Sequence, residues 1–145
     1  MSSRAALIAV AALALAACGS PQGDASSAGS SAATPAKDLT PVERGQRAFR
    51  ECAVCHITAK PGTPEGDQKL IGPNLFGVVG RKAGSLEGFS YSKAMRESAV
   101  VWDATTLDAY IAQPTKEIPG NRMSFAGEPD AQKRADIIAF LTSLQ

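Results

Sequence analysis

The chain has 145 residues, a formal net charge of +1, 44% hydrophobic and 20% charged residues, three cysteines and one histidine. That length predicts one globular domain, and the near-neutral charge excludes a nucleic-acid binder that neutralises phosphates with a basic face. Three cysteines and a lone histidine leave too few ligands for a closed Cys/His zinc site beside any other use of them.

Residues 1–17 read as an export signal. Arg4 supplies a positive start, and Ala5 to Ala17 is an unbroken apolar run, too short to cross a hydrocarbon layer of roughly 30 Å as a helix. The run ends in Leu15-Ala16-Ala17-Cys18-Gly19. This is the pattern of a bacterial lipoprotein box, in which cleavage exposes Cys18 for lipidation; ordinary cleavage at the small residues Ala14 and Ala16 is the alternative. Either way the mature chain is exported, and lipidated Cys18 would hold it to a membrane from the periplasmic side. Residues 18–38 then read as the lipidated cysteine followed by a disordered tether of Ser, Ala, Gly, Pro and Thr, too poor in apolar area to offset its ordering entropy.

A folded domain is expected over residues 39–145. Thr40-Pro41-Val42-Glu43 carries a helix start: a capping threonine, proline at the first helical position and glutamate at the third. Val42, Gly45, Ala48 and Phe49 share one face, and the helix is expected to run into Cys52-Ala53-Val54-Cys55-His56. A loop rich in Gly and Pro follows to about Asn74. Ser92 to Ser98 suggests a short helix. Asp103 caps another, with Leu107, Tyr110 and Ile111 inward and Pro114 as its stop. The last helix is expected near Pro129, burying Ile137, Phe140, Leu141 and Leu144. No stretch alternates as a strand, so the fold is small and all-α, with loops too long for its apolar side chains alone to justify.

Cys52-x-x-Cys55-His56 supplies what such a core lacks. Two thiols three residues apart can add to the two vinyl groups of a haem, and the neighbouring imidazole then faces the iron. A thioredoxin-like redox pair would require a βαβ context, which is missing. His56 is the only histidine, so bis-histidine ligation is impossible. A second axial ligand must come from Met95 or Met123, from another weak ligand, or not at all. Met123 lies in the loop Ile118 to Phe125, which could present a thioether; Met95 sits mid-helix, where packing is the usual role of methionine. A thioether raises the potential, and a filled sixth position favours electron transfer over catalysis.

From Thr40 onward the sequence resembles class I cytochrome c of the mitochondrial-like bacterial type. The resemblance is carried by Gly45 and Phe49, Cys52-x-x-Cys55-His56, Gly72-Pro73-Asn74-Leu75, Gly80-Arg81-Lys82, Phe89-Ser90-Tyr91, Trp102, Tyr110, Pro119-Gly120-x-x-Met123-x-Phe125-Ala126-Gly127 and Arg134 to Leu141. It implies one haem c on Cys52 and Cys55, with His56 and Met123 as axial ligands. It further implies that the Pro73 carbonyl accepts the other ring N–H of His56, and that Arg81, Tyr91 and Trp102 hold the propionates. Tyr110 and Asn121 would stand beside the methionine sulfur and Phe125 at the haem edge. Gly45 and Phe49 would cross the final helix near Ile137 and Phe140.

Three features depart from the mitochondrial pattern. The loop between His56 and Pro73 is longer, Met95 replaces an asparagine near a propionate, and Glu51 and Thr115 occupy two positions of the usual lysine ring, of which Lys116 and Arg122 remain. The implied function is that of a monomeric, membrane-tethered electron carrier between a quinol-oxidising complex and a terminal oxidase or similar acceptor. A fixed haem c subunit of a larger oxidase and a haem peroxidase are the alternatives.

Overall fold

A computed structural model describes residues 38–145. The signal 1–17, Cys18 and, but for Asp38, the tether 18–38 lie outside the described residues. Among the described residues five α-helices form, in chain order: α1 (Pro41–Ala48), α2 (Lys93–Glu97), α3 (Ala104–Ala112), α4 (Pro114–Glu117) and α5 (Ala131–Thr142). Among the described residues the extended backbone is limited to one antiparallel bridge, Lys82 to Val101.

Local chemistry fixes the helix starts. Thr40 Oγ1 accepts the Glu43 N–H while Glu43 Oε2 accepts the Thr40 N–H at 2.8 Å, closing a capping box around Pro41 at the first position. Asp103 and Thr106 exchange the same pair of bonds at the start of α3. Asp130 Oδ1 accepts from Gln132 and Lys133 to start α5, so that helix begins just beyond Pro129. Each cap satisfies main-chain donors that the first turn cannot pair internally.

One expectation is borne out and extended, and one needs correction. Pro114 does end α3, but it also opens α4 as its first residue and is fully buried; a ring that cannot continue one helix suits the first turn of the next. Val42, placed on the inner face of α1, is 38% exposed. The inner face is instead Gly45 and Phe49, with Ala48 partly covered. After Ala48 the chain tightens into a 3₁₀ turn, Phe49–Glu51, and delivers Cys52 from it.

The core holds Phe49, Val78, Ala83, Trp102, Leu107, Tyr110, Ile118, Ile137, Ile138, Phe140 and Leu141. α1 lies against α5. Their approach is set by Gly45, where an added Cβ would stand 1.8 Å from the Asp136 carbonyl oxygen. Beside this crossing Phe49 and Phe140 pack with ring centroids 5.4 Å apart. Arg44 grips Asp136 through Nε and Nη2, both at 2.8 Å, and donates Nη1 to the Leu39 carbonyl. Asp136 is almost wholly buried, and this fork holds its carboxyl below the usual range, with Arg44 the first cause.

Candidate functional site: a cysteine pair, an imidazole and a thioether loop

The cysteine-bearing turn is rigid before any ligand is considered. Cys55 and His56 N–H groups both bond to the Cys52 carbonyl, at 3.0 and 2.9 Å. Both thiols are half-buried and free of disulfide. Burial first, and Glu51 second, push the Cys52 thiol above its ordinary pKa, so it is a neutral thiol at neutral pH. Cys52 borders the hydrophobic core, as do Met95 and Met123.

His56 is oriented from two sides. Its Nδ1 lies 2.8 Å from the Pro73 carbonyl oxygen. A carbonyl only accepts, so Nδ1 carries the proton and the lone pair of the neutral ring sits on Nε2. Burial lowers the ring's pKa, and the Pro73 bond opposes this more weakly. The imidazole is therefore neutral near pH 7, as a metal ligand must be. On the other side the ring lies against Gly72, where a Cβ would come within 2.5 Å of Cε1 and 2.6 Å of Nδ1. Gly72 N–H bonds the Cys55 carbonyl at 2.9 Å and Leu75 N–H the Ile57 carbonyl at 2.7 Å, which fixes Gly72-Pro73 beside the cysteine turn.

The long loop after His56 is held by Asn74. Its Nδ2 donates to the Ala59 and Gly66 carbonyls, at 2.9 and 3.0 Å, and its Oδ1 accepts the Phe76 N–H. The Asn74 and Phe76 carbonyls in turn accept from Arg81. Arg81 is half-buried, and among the described residues no carboxylate pairs with it. Burial lowers its pKa, with Tyr91 acting in the opposite sense; burial likewise raises that of Tyr91, which Arg81 moderates. Main-chain bonds set Trp102 beside Arg81: Trp102 N–H to the Arg81 carbonyl at 3.0 Å and Gly80 N–H to the Trp102 carbonyl at 2.7 Å. Trp102 packs on Tyr110 with centroids 5.0 Å apart, and Phe89 on Tyr91 at 4.7 Å.

Met123 is half-buried in the loop between α4 and α5. The preceding Asn121 shapes that loop. Its Nδ2 donates to the Pro114 and Ile118 carbonyls, both at 2.9 Å, and its Oδ1 accepts the Met123 N–H at 2.8 Å. Phe125 is half-buried two residues on. Met95 sits in α2, whose cap is a 3.1 Å bond from the Met95 N–H to Ser92 Oγ.

This donor set fits a covalently bound haem. It offers two thiols, a neutral imidazole with its lone pair on Nε2, a thioether, apolar walls and a half-buried guanidinium with carbonyl partners but no protein anion. A groove of about 510 Å³ beside α1, lined in part by Glu43, Arg47, Arg50 and Phe140, includes none of the cysteines, His56 or Met123. No group of three or more His, Cys, Asp or Glu among the described residues could hold a metal on its own.

Residues 42–145 match the sequence model of the family described as Cytochrome c. The chain belongs to the cytochrome c family. It is 46% identical to cytochrome c of Chlamydomonas reinhardtii over 111 residues, covering 76% of this chain and 92% of that protein. To cytochrome c2 of Rhodomicrobium vannielii it is 45% identical over 103 residues, covering 69% and 76%. Among solved structures, cytochrome cH from Methylobacterium extorquens superposes with a TM-score of 0.62 at 37% identity, covering 70% of this chain and 97% of that one. The fold is thus the small all-α cytochrome fold, and the chain is a haem c electron carrier rather than an enzyme, with one haem bound through Cys52 and Cys55. Its partners are redox proteins.

Sequence reasoning gave no role to three contributors, although Gly72 and Asn74 stood in a motif it singled out. Gly72 gives the imidazole its flat seat, Asn74 ties the long loop, and Glu128 anchors the far end of the Met123 loop. The Gly72 contact had a signal in the Gly-Pro pair. Glu128 had none, because a carboxylate beside Asp130 and Lys133 reads as a solvated charge until the fold brings its N–H to the Ile111 carbonyl.

Proposed function

We propose that this cytochrome c is a membrane-tethered periplasmic carrier, moving single electrons between a quinol-oxidising complex and a terminal oxidase or similar acceptor. In this reading residues 1–17 are removed on export, Cys18 bears the lipid, residues 18–38 are the tether and residues 39–145 the redox domain. Among the described residues no helix is long and apolar enough to cross a membrane, so a lipid at Cys18 would provide the attachment. When bound, haem c supplies a one-electron iron couple.

The observation that carries the reading is the His56–Pro73 bond, which keeps the lone pair on Nε2 of the residue that follows Cys55. His56 and Met123 are then the axial ligands. Asn121 presets the Met123 backbone. Arg81, Tyr91 and Trp102 neutralise and bond the propionates, and the half-buried, anion-free state of Arg81 supports that role. Tyr110 and Phe125 wall the methionine side.

Exchanging Met123→Ala in the mature protein tests the ligand assignment. The expected result is loss of the weak methionine-to-iron band at the red end of the ferric spectrum. Its persistence would assign the sixth ligand to Met95 or another group. Intact-mass measurement on the membrane fraction tests the anchor; an unmodified Cys18 would overturn it.

A second reading, a fixed haem c subunit of an oxidase, draws support from the charge pattern. Lys133 is committed to Glu51 and Glu128, and Glu51 puts negative charge beside Cys52. Complementary charge mainly steers free diffusional encounter, which a fixed subunit does not need. Copurification with an oxidase after detergent extraction separates the two readings.

A further inference from the structure

The loop bearing Met123 is hydrogen-bonded at its two ends, with Arg122 also donating to the Ser90 carbonyl, and not between them. Asn121 fixes the entry. Among the described residues no hydrogen bond reaches Ser124, Phe125 or Ala126. The exit is Gly127-Glu128. Gly127 adopts φ +112° and approaches α3 so closely that a Cβ would lie 2.0 Å from the Ala112 carbonyl oxygen. Glu128 then makes three separate attachments. Its N–H donates to the Ile111 carbonyl at 2.9 Å. Its carbonyl accepts Arg134 Nη1 at 3.0 Å, and Arg134 is itself forked onto Asp108. Its carboxylate accepts Lys133 Nζ at 2.7 Å and the Asp130 N–H at 3.0 Å.

Lys133 does not stop at Glu128. The same Nζ donates to both oxygens of Glu51 at 3.0 Å, and Glu51 immediately precedes Cys52. One ammonium therefore bridges two carboxylates, one on the methionine loop and one on the haem-bearing turn. The arms are unequal. The Glu128 side chain is 11% exposed and the Glu51 side chain 66%, so the first is a desolvated charge-assisted bond and the second an exposed pair. Lys133 first, and then the Asp130 amide, hold the Glu128 carboxyl below the usual range, so it is ionised at neutral pH.

We propose that Glu128 is a positioning residue for the Met123 thioether, and that the Glu128–Lys133–Glu51 bridge, by tying the methionine loop to the Cys52 turn, sets how readily an outside ligand displaces Met123 from the iron. This rests on the assignment of Met123 as the sixth ligand. Swinging the thioether away requires the loop to loosen, and the bond to Lys133 is the exit anchor that a change of the Glu128 side chain weakens while the main-chain bonds of Glu128 to Ile111 and Arg134 stay in place.

The test is imidazole binding to the ferric, haem-loaded full chain, followed by the shift of the main haem absorption. Imidazole binds only the open fraction, so its apparent affinity reports that fraction directly. Glu128→Gln is expected to tighten imidazole binding about tenfold. Lys133→Arg, which keeps a cation between the carboxylates, is expected to stay within about twofold of the parent. A remote core variant, Ile138→Val, provides a chain weakened without touching the bridge. The proposal is overturned if folded Glu128→Gln binds imidazole like the parent, or no more tightly than Ile138→Val. Should Glu128→Gln fail to fold, Glu51→Gln at the exposed arm decides: tightening of about threefold supports the bridge, and no change refutes it. Absence of the methionine-to-iron band from the parent protein would sink the ligand assignment, and this proposal with it. A band present alongside an insensitive Glu128 would sink the proposal alone.

Discussion

At the residue scale, two tyrosines and one glycine give sharp expectations. Burial pushes the Tyr110 phenol up to about 12, against about 10 in an unfolded chain. Above pH 10 the unfolded chain therefore loses this proton first. Stability falls as pH rises from about 10 to about 12, by at most about 1.4 kcal/mol per pH unit. Tyr91 is raised too, so Tyr91→Phe isolates the effect. Phenolate absorbance in that variant is expected to titrate near pH 12, and a midpoint near 10 would show Tyr110 to be solvated. Gly72 makes a different kind of demand, because a methyl there would overlap the imidazole edge. Gly72→Ala is expected to displace His56 from the Pro73 carbonyl and change the axial field, seen as a shifted ferric spectrum at unchanged haem content. An unshifted spectrum would show that the ring has room.

The cysteine–histidine motif was readable because its chemistry is local: five consecutive residues carry both thiols and the imidazole. What orients the imidazole was readable only through resemblance, since nothing in the letters Gly-Pro-Asn says which carbonyl turns toward which ring. Glu51 and Lys133 stand 82 positions apart, and no periodicity links them. Charges in separate elements become a network only when the fold superimposes them.

At the element scale, helix starts were legible and helix faces less so. Thr40, Asp103 and Ser92 each cap the helix that follows, because an N-cap is a bond between residues three apart. Val42 fits the apolar face of α1 by spacing yet lies 38% exposed. The reason is Gly45: it lets α5 come so near that the crossing centres on the glycine and Phe49, leaving Val42 at the rim. Pro114 signals the end of α3 by its chemistry alone, whereas its second role, opening the buried turn of α4, depends on the packing around it. Gly45→Ala is expected to cost about 3 kcal/mol, at the upper end of overpacking, since the Asp136 carbonyl is main chain and cannot step aside. Thermal unfolding of the haem-loaded protein measures it; a loss below about 1 kcal/mol would mean that α1 and α5 separate freely.

At the scale of the whole molecule, the core is small for what it must hold together. Cys52, Leu75, Val79, Ala94, Met95, Val100, Ile111 and Met123 border it only partly buried, and much of the chain is loop. A fold with so much loop around so thin a core gains from a large apolar filler that offsets its chain entropy. Cys52→Ala with Cys55→Ala, which denies haem its attachment, is therefore expected to leave residues 39–145 largely unfolded, with far-UV circular dichroism showing little helix. A native-like helical signal in that variant would show the polypeptide to be self-sufficient.

The α1–α5 crossing also dictates an order of events. Arg44 and Asp136 are 92 positions apart, and closing a loop of that length costs on the order of 4 kcal/mol of chain entropy. Until that loop closes, Phe49 has no Phe140 to meet, and the cysteine turn just behind it stays open. The settling of the final helix on the first is then the clasp that shuts over a haem already seated in the turn.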